Sequence, residues 1–261
     1  MTAALALLSG WLASLGFAPA GLTAAAVAGA TGLALLLMRR PRPFLSGWLW
    51  GLAHFAFGLR WIAHAFTFQT AMPQWMGAVA VVGLSAYLAL FPAAAAWGAA
   101  RLARGRPLVL ALLLPATFIL AEIARGLVFT GFPWNPLGAA LLPLPAVTAA
   151  AATLGTPGLS GLVMLAATAL ALLILGPRRA TALVPAGAAL VATTIGLLLA
   201  PPAPVAPEGR GPLVLLVQPN ASQASKHGPD GSARHLAAHL DVTAAALARL
   251  SPGDRARLRA I

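Results

Sequence analysis

The 261-residue sequence contains no cysteine. This absence excludes disulfide bonds, thiolate metal sites and a cysteine nucleophile within these residues. Charge is also scarce, since 8% of the residues are charged and Glu122 is the only acidic residue before Glu208. Hydrophobic residues make up 60% of the chain and its mean hydropathy is +0.86, which is more apolar than a soluble globular domain requires. The composition therefore indicates a multi-pass membrane protein.

The formal net charge of +12 raises the question of a nucleic-acid partner. Within residues 1–201, however, most of the arginines lie in three short clusters between apolar runs, at Arg39–Arg42, Arg101–Arg106 and Pro177–Arg179. Short basic clusters of this kind set the orientation of membrane helices. They lack the contiguous polar, basic face that tracks a phosphate backbone, so no nucleic-acid partner is predicted.

The apolar runs predict a mainly α fold, a seven-helix transmembrane bundle over residues 1–201. The basic clusters follow the second, fourth and sixth runs, and the loops after the first, third and fifth contain no Lys or Arg. Because basic loops stay in the cytoplasm, we expect a cytoplasmic N-terminus and an external segment 202–261. The N-terminus has no basic signal region, so the first run should be retained. The runs cover about 3–18, 21–38, 44–68, 74–100, 107–130, 145–175 and 181–200. The sixth run is predicted to be broken near Gly155-Thr-Pro-Gly158.

The segment after the last run has a different composition. Residues 202–211 are rich in proline and predict a stiff, extended linker. Leu213–Val217 then reads as a short buried strand, and residues 232–250 as an amphipathic helix that Ser251-Pro-Gly253 ends. One strand and one helix cannot bury a core by themselves, so residues 212–261 are expected to begin an incomplete α/β domain. The apolar helix face would contain Leu236, Leu240, Ala244 and Leu247.

The fifth run ends in the most informative stretch, Glu122 to Asn135. Glu122 and Arg125 are three residues apart on one helix face and are predicted to form an ion pair. Charges at membrane depth are costly unless they face the bundle interior, which makes the pair a functional-site candidate. The alternative is a structural pair that only fixes helix packing.

The string Phe129-Thr-Gly-Phe-Pro-Trp134, together with Leu216-Val-Gln-Pro-Asn220, resembles the apolipoprotein N-acyltransferase family. The resemblance implies transfer of an acyl chain from a membrane phospholipid to the N-terminal amine of a diacylglyceryl-cysteine on a lipoprotein. It implies a location in the bacterial inner membrane, with a nitrilase-like domain on the outer side. In the family that domain supplies a Glu as base, a Lys at the oxyanion and a Cys that carries the acyl group.

No residue of this sequence matches the family's Glu, Lys or Cys. Glu208 precedes the first predicted strand, and Lys226 lies in the first loop. We therefore predict no catalytic residue here and a chain truncated before its catalytic residues, inactive alone. The alternative is a non-catalytic membrane scaffold or lipid-binding module that pairs with a separately encoded nitrilase-like remainder.

Five residues are candidates for substrate contact. Four of them are consecutive and should emerge just outside the membrane: Phe132, Pro133, Trp134 and Asn135. They could line the base of the entrance for the lipid substrate. Their alternative role is an interfacial Trp anchor with a turn-forming Asn. Arg60 lies in the outer part of the third run, where it could hold a phospholipid headgroup or simply snorkel to the interface.

Histidine and serine offer weaker candidates. His54 and His64 in the third run could relay protons, but interior hydrogen bonding is the simpler interpretation. The segment from Ser222 to Ser251 contains serines and histidines, yet no strand-turn-helix elbow that would activate a serine. His235 and His239 are four residues apart without a third metal ligand near them in sequence, so a solvated helix face is expected. No metal and no cofactor is predicted.

Overall fold

The structure is a computed structural model that describes residues 2–39, 42–68, 72–175, 179–200, 212–221, 225 and 230–260. The chain divides into two compact units. The first contains Met1–Phe66 and Met72–Pro201, and the second contains Thr67–Ala71 and Pro202–Ile261.

The first unit is helical, as its apolar runs predict. Over the described residues, four stretches are long and apolar enough to cross a membrane: Trp75–Ala103, Pro107–Arg125, Ala151–Leu175 and Arg179–Leu198. The chain is thus a membrane protein. That all seven runs cross stays a prediction, because the first three carry shorter helices. The helices are α1 Thr2–Ser14, α2 Thr23–Met38, α3 Pro43–Gly58, α4 Trp61–Ala65, α5 Trp75–Leu88, α6 Leu90–Ala103, α7 Pro107–Arg125, α8 Pro145–Thr148, α9 Ala151–Leu175 and α10 Leu183–Leu198.

Glycine and proline explain where the helices break. Run four is divided between α5 and α6 at Ala89, because Pro92 cannot donate to the preceding turn and its ring crowds the carbonyl four residues earlier. In α9 the predicted interruption is confirmed, since Gly155 has φ 67° and ψ 170°. Run three contains two helices, since α3 ends at Gly58 and the short helix α4 follows.

Hydrogen bonds from side chains connect neighbouring helices of the first unit. The Trp50 indole on α3 donates to the carbonyl of Gly29 on α2, at 3.0 Å. Pro115 inside α7 has no N–H for the carbonyl of Ala111, and that carbonyl accepts instead from Thr168 Oγ1 on α9, also at 3.0 Å. A backbone group freed by proline is thereby satisfied within the bundle, as an apolar solvent requires.

The second unit contains a parallel pair of strands, β1 Leu213–Val214 and β2 Leu258–Ala260, with an irregular register. Between them lie α11 Gly231–Arg249 and α12 Pro252–Arg257. β1 is shorter than the five residues expected. Ser251 ends the predicted helix but also starts another, because its side chain accepts from the Asp254 amide at 3.1 Å.

The amphipathic helix is confirmed as a helix, but its apolar face is not buried. Leu236 and Leu240 are each 61% exposed. Two short strands present too little apolar surface to cover a helix face, which is the physical reason for this exposure.

Candidate functional site

The candidate site is the loop that follows α7. Gly126 caps the helix, and the chain then reverses through four residues with positive φ: Phe129, Thr130, Gly131 and Asn135. Gly131, at φ 83°, permits the reversal, because a Cβ there would run into the carbonyl of Gly126. The turn brings the Phe132 amide back to the carbonyl of Arg125, at 2.9 Å.

Arg125 fastens this loop to the end of α7. The side chain is 3% exposed, and its Nη1 donates to the carbonyls of Phe132 at 2.5 Å and Trp134 at 2.6 Å. The guanidinium also lies over the ring of Phe55, 5.2 Å from its centroid. Short bonds from a charged donor are stronger than neutral ones, so Arg125 fixes the backbone of the Phe132–Trp134 segment.

Glu122 fastens the far end of the same loop. Its Oε1 accepts from the Leu137 amide at 2.8 Å. The direct ion pair expected between Glu122 and Arg125 is not formed, since among the described residues the salt bridge within 4.0 Å is Arg257–Asp254. The reason is that the buried loop amide and carbonyls need partners, and each charged side chain satisfies those instead of its neighbour.

Further polar contacts secure the residues after the loop. The amide of Gly138 donates to Ser160 Oγ on α9 at 2.7 Å, and Thr23 Oγ1 on α2 donates to the Ala140 carbonyl at 2.6 Å. A side chain at Gly138 would lie 2.7 Å from backbone atoms of Thr156 and Ser160. Side chains of α7 therefore hold both ends of the loop, and side chains of α2 and α9 hold the residues that follow it.

Between these clamps, large aromatic side chains remain exposed. Trp134 is 58% exposed and packs edge to face on Trp61 of α4, with centroids 6.0 Å apart. Phe129 is 83% exposed and makes an edge contact with Tyr87 of α5, again at 6.0 Å. Phe132 is partly buried against an apolar cluster that contains Phe55. The loop thus presents an aromatic surface at the start of α4 and the end of α5.

Arg60 lies near this surface. It is exposed, its Nη1 donates to the Phe57 carbonyl at 3.3 Å, and it lines a cavity of about 120 Å³ together with Trp61 and the turn Phe17-Ala-Pro19. Trp61 is shared between this cavity and Trp134, so the structure brings the two parts of the predicted contact set to one end of the bundle. Pro133 is exposed, and the side chain of Asn135 lies against Gly58.

His54 forms part of the interior beneath the loop. It is 2% exposed and stacks on Trp50 with centroids 4.9 Å apart, whereas His64, also expected inside, is exposed. His54, Glu122 and Arg125 line one small cavity with about 10 Å³ of free space, room for roughly one water molecule. His54 Nδ1 and Glu122 Oε2 are buried without a hydrogen-bond partner among the described residues. The sequence analysis did not predict that these three residues share a cavity, because α3 and α7 are far apart in the chain.

The second unit contains no comparable constellation in its described part. Ser225 Oγ lies 3.3 Å from His235 Nε2, but no carboxylate in the described ranges is hydrogen-bonded to His235 to orient it. His239 is exposed, and the described residues contain no cluster of three potential metal ligands. Among the described residues, the Ser–His contact therefore has no third group of the kind that serine activation uses.

Residues 126–137, held by Arg125 and Glu122, are called the latched loop. The fold and this loop define a polytopic helical membrane protein with an aromatic surface at one end. Residues 9–169 match the sequence profile of the apolipoprotein N-acyltransferase N-terminal domain. Because this match covers more than half of the chain, the protein belongs to the apolipoprotein N-acyltransferase family.

Individual relatives agree with this assignment. Apolipoprotein N-acyltransferase of Sinorhizobium fredii is 38% identical over 218 residues, which are 80% of this chain and 40% of the relative. The corresponding protein of Rhizobium leguminosarum bv. trifolii is 35% identical over 77% of this chain and 38% of its own length. That of Ralstonia nicotianae is 35% identical over 92% and 46%. The chain thus spans less than half the length of these curated relatives.

Proposed function

We propose that this chain is the membrane part of an enzyme that transfers an acyl group from a phospholipid to the N-terminal amine of diacylglyceryl-cysteine in bacterial lipoproteins. The membrane part would be a seven-helix bundle in the inner membrane. The strand-helix-strand unit after it would lie on the periplasmic side and open a nitrilase-like domain. Membership of the family and the orientation predicted by the basic loops support this arrangement.

In this proposal the latched loop guides the lipid substrate. The observation that carries the role is the exposed Trp134, held by its own carbonyl on Arg125 and flanked by Trp61 and the Arg60 cavity. An aromatic face at membrane depth packs on acyl chains, and an exposed guanidinium beside it can bind a lipid phosphate. A rigid loop would hold these groups in one orientation without an entropic cost at each turnover.

The residues that perform the chemistry would lie in the nitrilase-like domain. Acyl transfer through an enzyme-bound thioester requires a cysteine, and these 261 residues contain none. The exposed apolar face of α11, with Leu236 and Leu240, is consistent with a larger α/β domain that would cover it. By itself the chain should therefore form no acyl-enzyme.

A chimera tests this proposal. We would join the chain to the part of the Ralstonia nicotianae relative that follows its matched region, and express it in a bacterium depleted of its own enzyme. Mass spectrometry of a lipoprotein's N-terminal peptide measures N-acylation. We expect the chimera to restore N-acylation and the chain alone to leave it absent. A chimera that accumulates in the membrane but acylates nothing would refute the assigned reaction.

The role of the loop is tested in the same chimera. Trp134→Ala should lower the rate of N-acylation by roughly tenfold or more, since the lipid would lose its positioning surface. The matched control is Trp75→Ala, which removes a tryptophan that is 66% exposed at the start of α5. Equal effects of the two substitutions would refute a specific role for the loop.

A further inference from the structure

The largest cavity among those described in the first unit lies at the opposite end of α7 from the latched loop. It has a volume of about 400 Å³ and is formed where the α6–α7 turn meets the end of α2 and the start of α3. A volume of this size lies within the range of small-molecule and lipid-headgroup pockets, about 300 to 1,000 Å³. It is therefore large enough to hold part of a lipid rather than a single ion.

The walls of this cavity are apolar. Leu37 of α2 and Leu110 of α7 are almost fully buried behind it, at 2% and 5% exposure, while Trp97 of α6 lines it and is 54% exposed. An indole at the edge of an apolar pocket is the side chain that membranes place at the level of lipid headgroups. These walls suit the upper part of an acyl chain and its glycerol ester.

The rim of the same cavity is cationic. Arg101, Arg104 and Arg106 all line it, and all three are exposed. The turn fixes their spacing, because Arg104 adopts a left-handed conformation at φ 48° and the Arg106 amide donates to the Ala103 carbonyl at 2.9 Å. Within the described residues, no hydrogen bond or ion pair engages these three side chains.

No acidic side chain of the first unit lies near enough to the rim to neutralise this charge. Glu122 is the only acidic residue of the first 201, and it lies about 22 Å further along α7 from Pro107. Arg39 and Arg42, at the neighbouring α2–α3 connection, add further exposed positive charge. Within the first unit, therefore, no side chain supplies an anion for this rim.

We propose that this cavity binds one anionic phospholipid of the leaflet at that end of the bundle, with its phosphate on the arginine rim and an acyl chain along Trp97. Basic pockets between membrane helices bind anionic headgroups, and guanidinium groups bind phosphate oxygens through paired hydrogen bonds. The orientation predicted by the basic loops would make this the cytoplasmic leaflet. The proposal stands independently of the acyl-transfer reaction.

Native mass spectrometry of the detergent-solubilised chain tests the proposal. The chain is titrated with dioleoylphosphatidylglycerol and, in parallel, with dioleoylphosphatidylcholine. We expect one phosphatidylglycerol to saturate the site and phosphatidylcholine to bind at least about tenfold more weakly, because its headgroup has no net charge. Equal binding of the two lipids would overturn the proposal, as would loss of the bound lipid on adding an equimolar amount of inorganic phosphate.

Variants locate the binding on the cavity. The triple variant R101Q/R104Q/R106Q should weaken phosphatidylglycerol binding by roughly fivefold for each arginine, or about a hundredfold in all. Its matched control, R234Q/R249Q/R259Q, removes three exposed charges from the second unit and should leave binding unchanged. Equal weakening by both triple variants would show that total charge, not this site, attracts the lipid.

The apolar wall is tested without a change in charge. Trp97→Ala should weaken phosphatidylglycerol binding several-fold, because an acyl chain would lose its contact with the indole. Trp75→Ala serves as the control, since that side chain is also exposed and does not line the cavity. Unchanged affinity in Trp97→Ala would refute the assignment of the acyl chain to this wall.

Discussion

Replacement of Arg125 by methionine should release the loop after α7 while the helix itself stays folded. Methionine keeps an unbranched apolar stem against Phe55 but cannot donate to the carbonyls of Phe132 and Trp134. The substitution therefore removes the latch with little change in volume.

The magnitude follows from the two hydrogen bonds. Bonds from a charged donor contribute about 1.5 to 3 kcal/mol each, and the stacked cation adds roughly 1 kcal/mol. Removal of a buried charge and rehydration of the freed carbonyls offset part of this loss. We expect the free energy of loop opening to fall by about 2 to 3 kcal/mol, which is roughly a 30- to 150-fold rise in the open population.

Hydrogen–deuterium exchange measures this opening directly. The Phe132 amide, which donates to the carbonyl of Arg125 at 2.9 Å, should exchange about 30- to 150-fold faster in Arg125→Met. The Leu137 amide is held separately by Glu122 at 2.8 Å and should change much less. Arg101→Met, which replaces an exposed arginine at the end of α6, is the matched control.

Two outcomes would refute the reasoning. Unchanged exchange at Phe132 would mean that Arg125 does not hold the loop. A uniform rise from residue 107 to residue 141 would mean that the substitution unfolds α7 and that the loop is not a separate unit.

Two further predictions concern the other clamp and the packing behind it. Glu122→Leu should lower the free energy of unfolding by about 1 to 3 kcal/mol, because the Leu137 amide loses its acceptor, whereas Glu122→Gln keeps an oxygen at that place and should change it by less than about 1 kcal/mol. Thermal melting in detergent compares the two, and a larger loss in the Gln variant would contradict the role of Oε1. Gly138→Ala should also destabilise the protein by about 1 to 3 kcal/mol, because its Cβ would meet backbone atoms of Thr156 and Ser160 at 2.7 Å. Gly83→Ala, where a Cβ meets nothing within 4 Å, is the control; equal melting temperatures of the two variants would contradict the close packing.

The parts of the structure that sequence predicted well depend on local rules. Apolar runs gave helices, and Gly155 interrupted α9 because glycine adopts positive φ without a steric penalty. Run lengths did not distinguish one helix from two in the region of Pro92, where the outcome depends on how neighbouring helices accommodate the break.

The candidate site was recognised by residue type, but its bonding was not predicted. Glu122 and Arg125 are close in sequence, and their opposite charges favour a pair when only the helix is considered. The outcome was decided by the loop that folds back on them, whose buried amide and carbonyls compete for the same side chains. Left-handed Phe129 could not be foreseen, because bulky residues rarely adopt positive φ.

The grouping of His54 with Glu122 and Arg125 illustrates a second limit. Each residue could be assigned to the bundle interior from sequence, but their shared cavity depends on the packing of α3 against α7. Helix-to-helix contacts of this kind carry no short-range signature, since complementary shapes and not sequence spacing select them.

The 19 residues of α7 fix both the distance between the two ends of the helix and the direction in which Arg125 faces. At about 1.5 Å per residue the helix is about 28 Å long, close to the thickness of the hydrocarbon core, which makes it long enough to cross that core. One added or deleted residue would change this length little but would turn Arg125 by about 100° away from the carbonyls it holds. An insertion or deletion in α7 is therefore limited more by the rotation that it causes than by the change in helix length. Arg125 would keep its contacts with the loop only if residues were added or removed in whole helical turns.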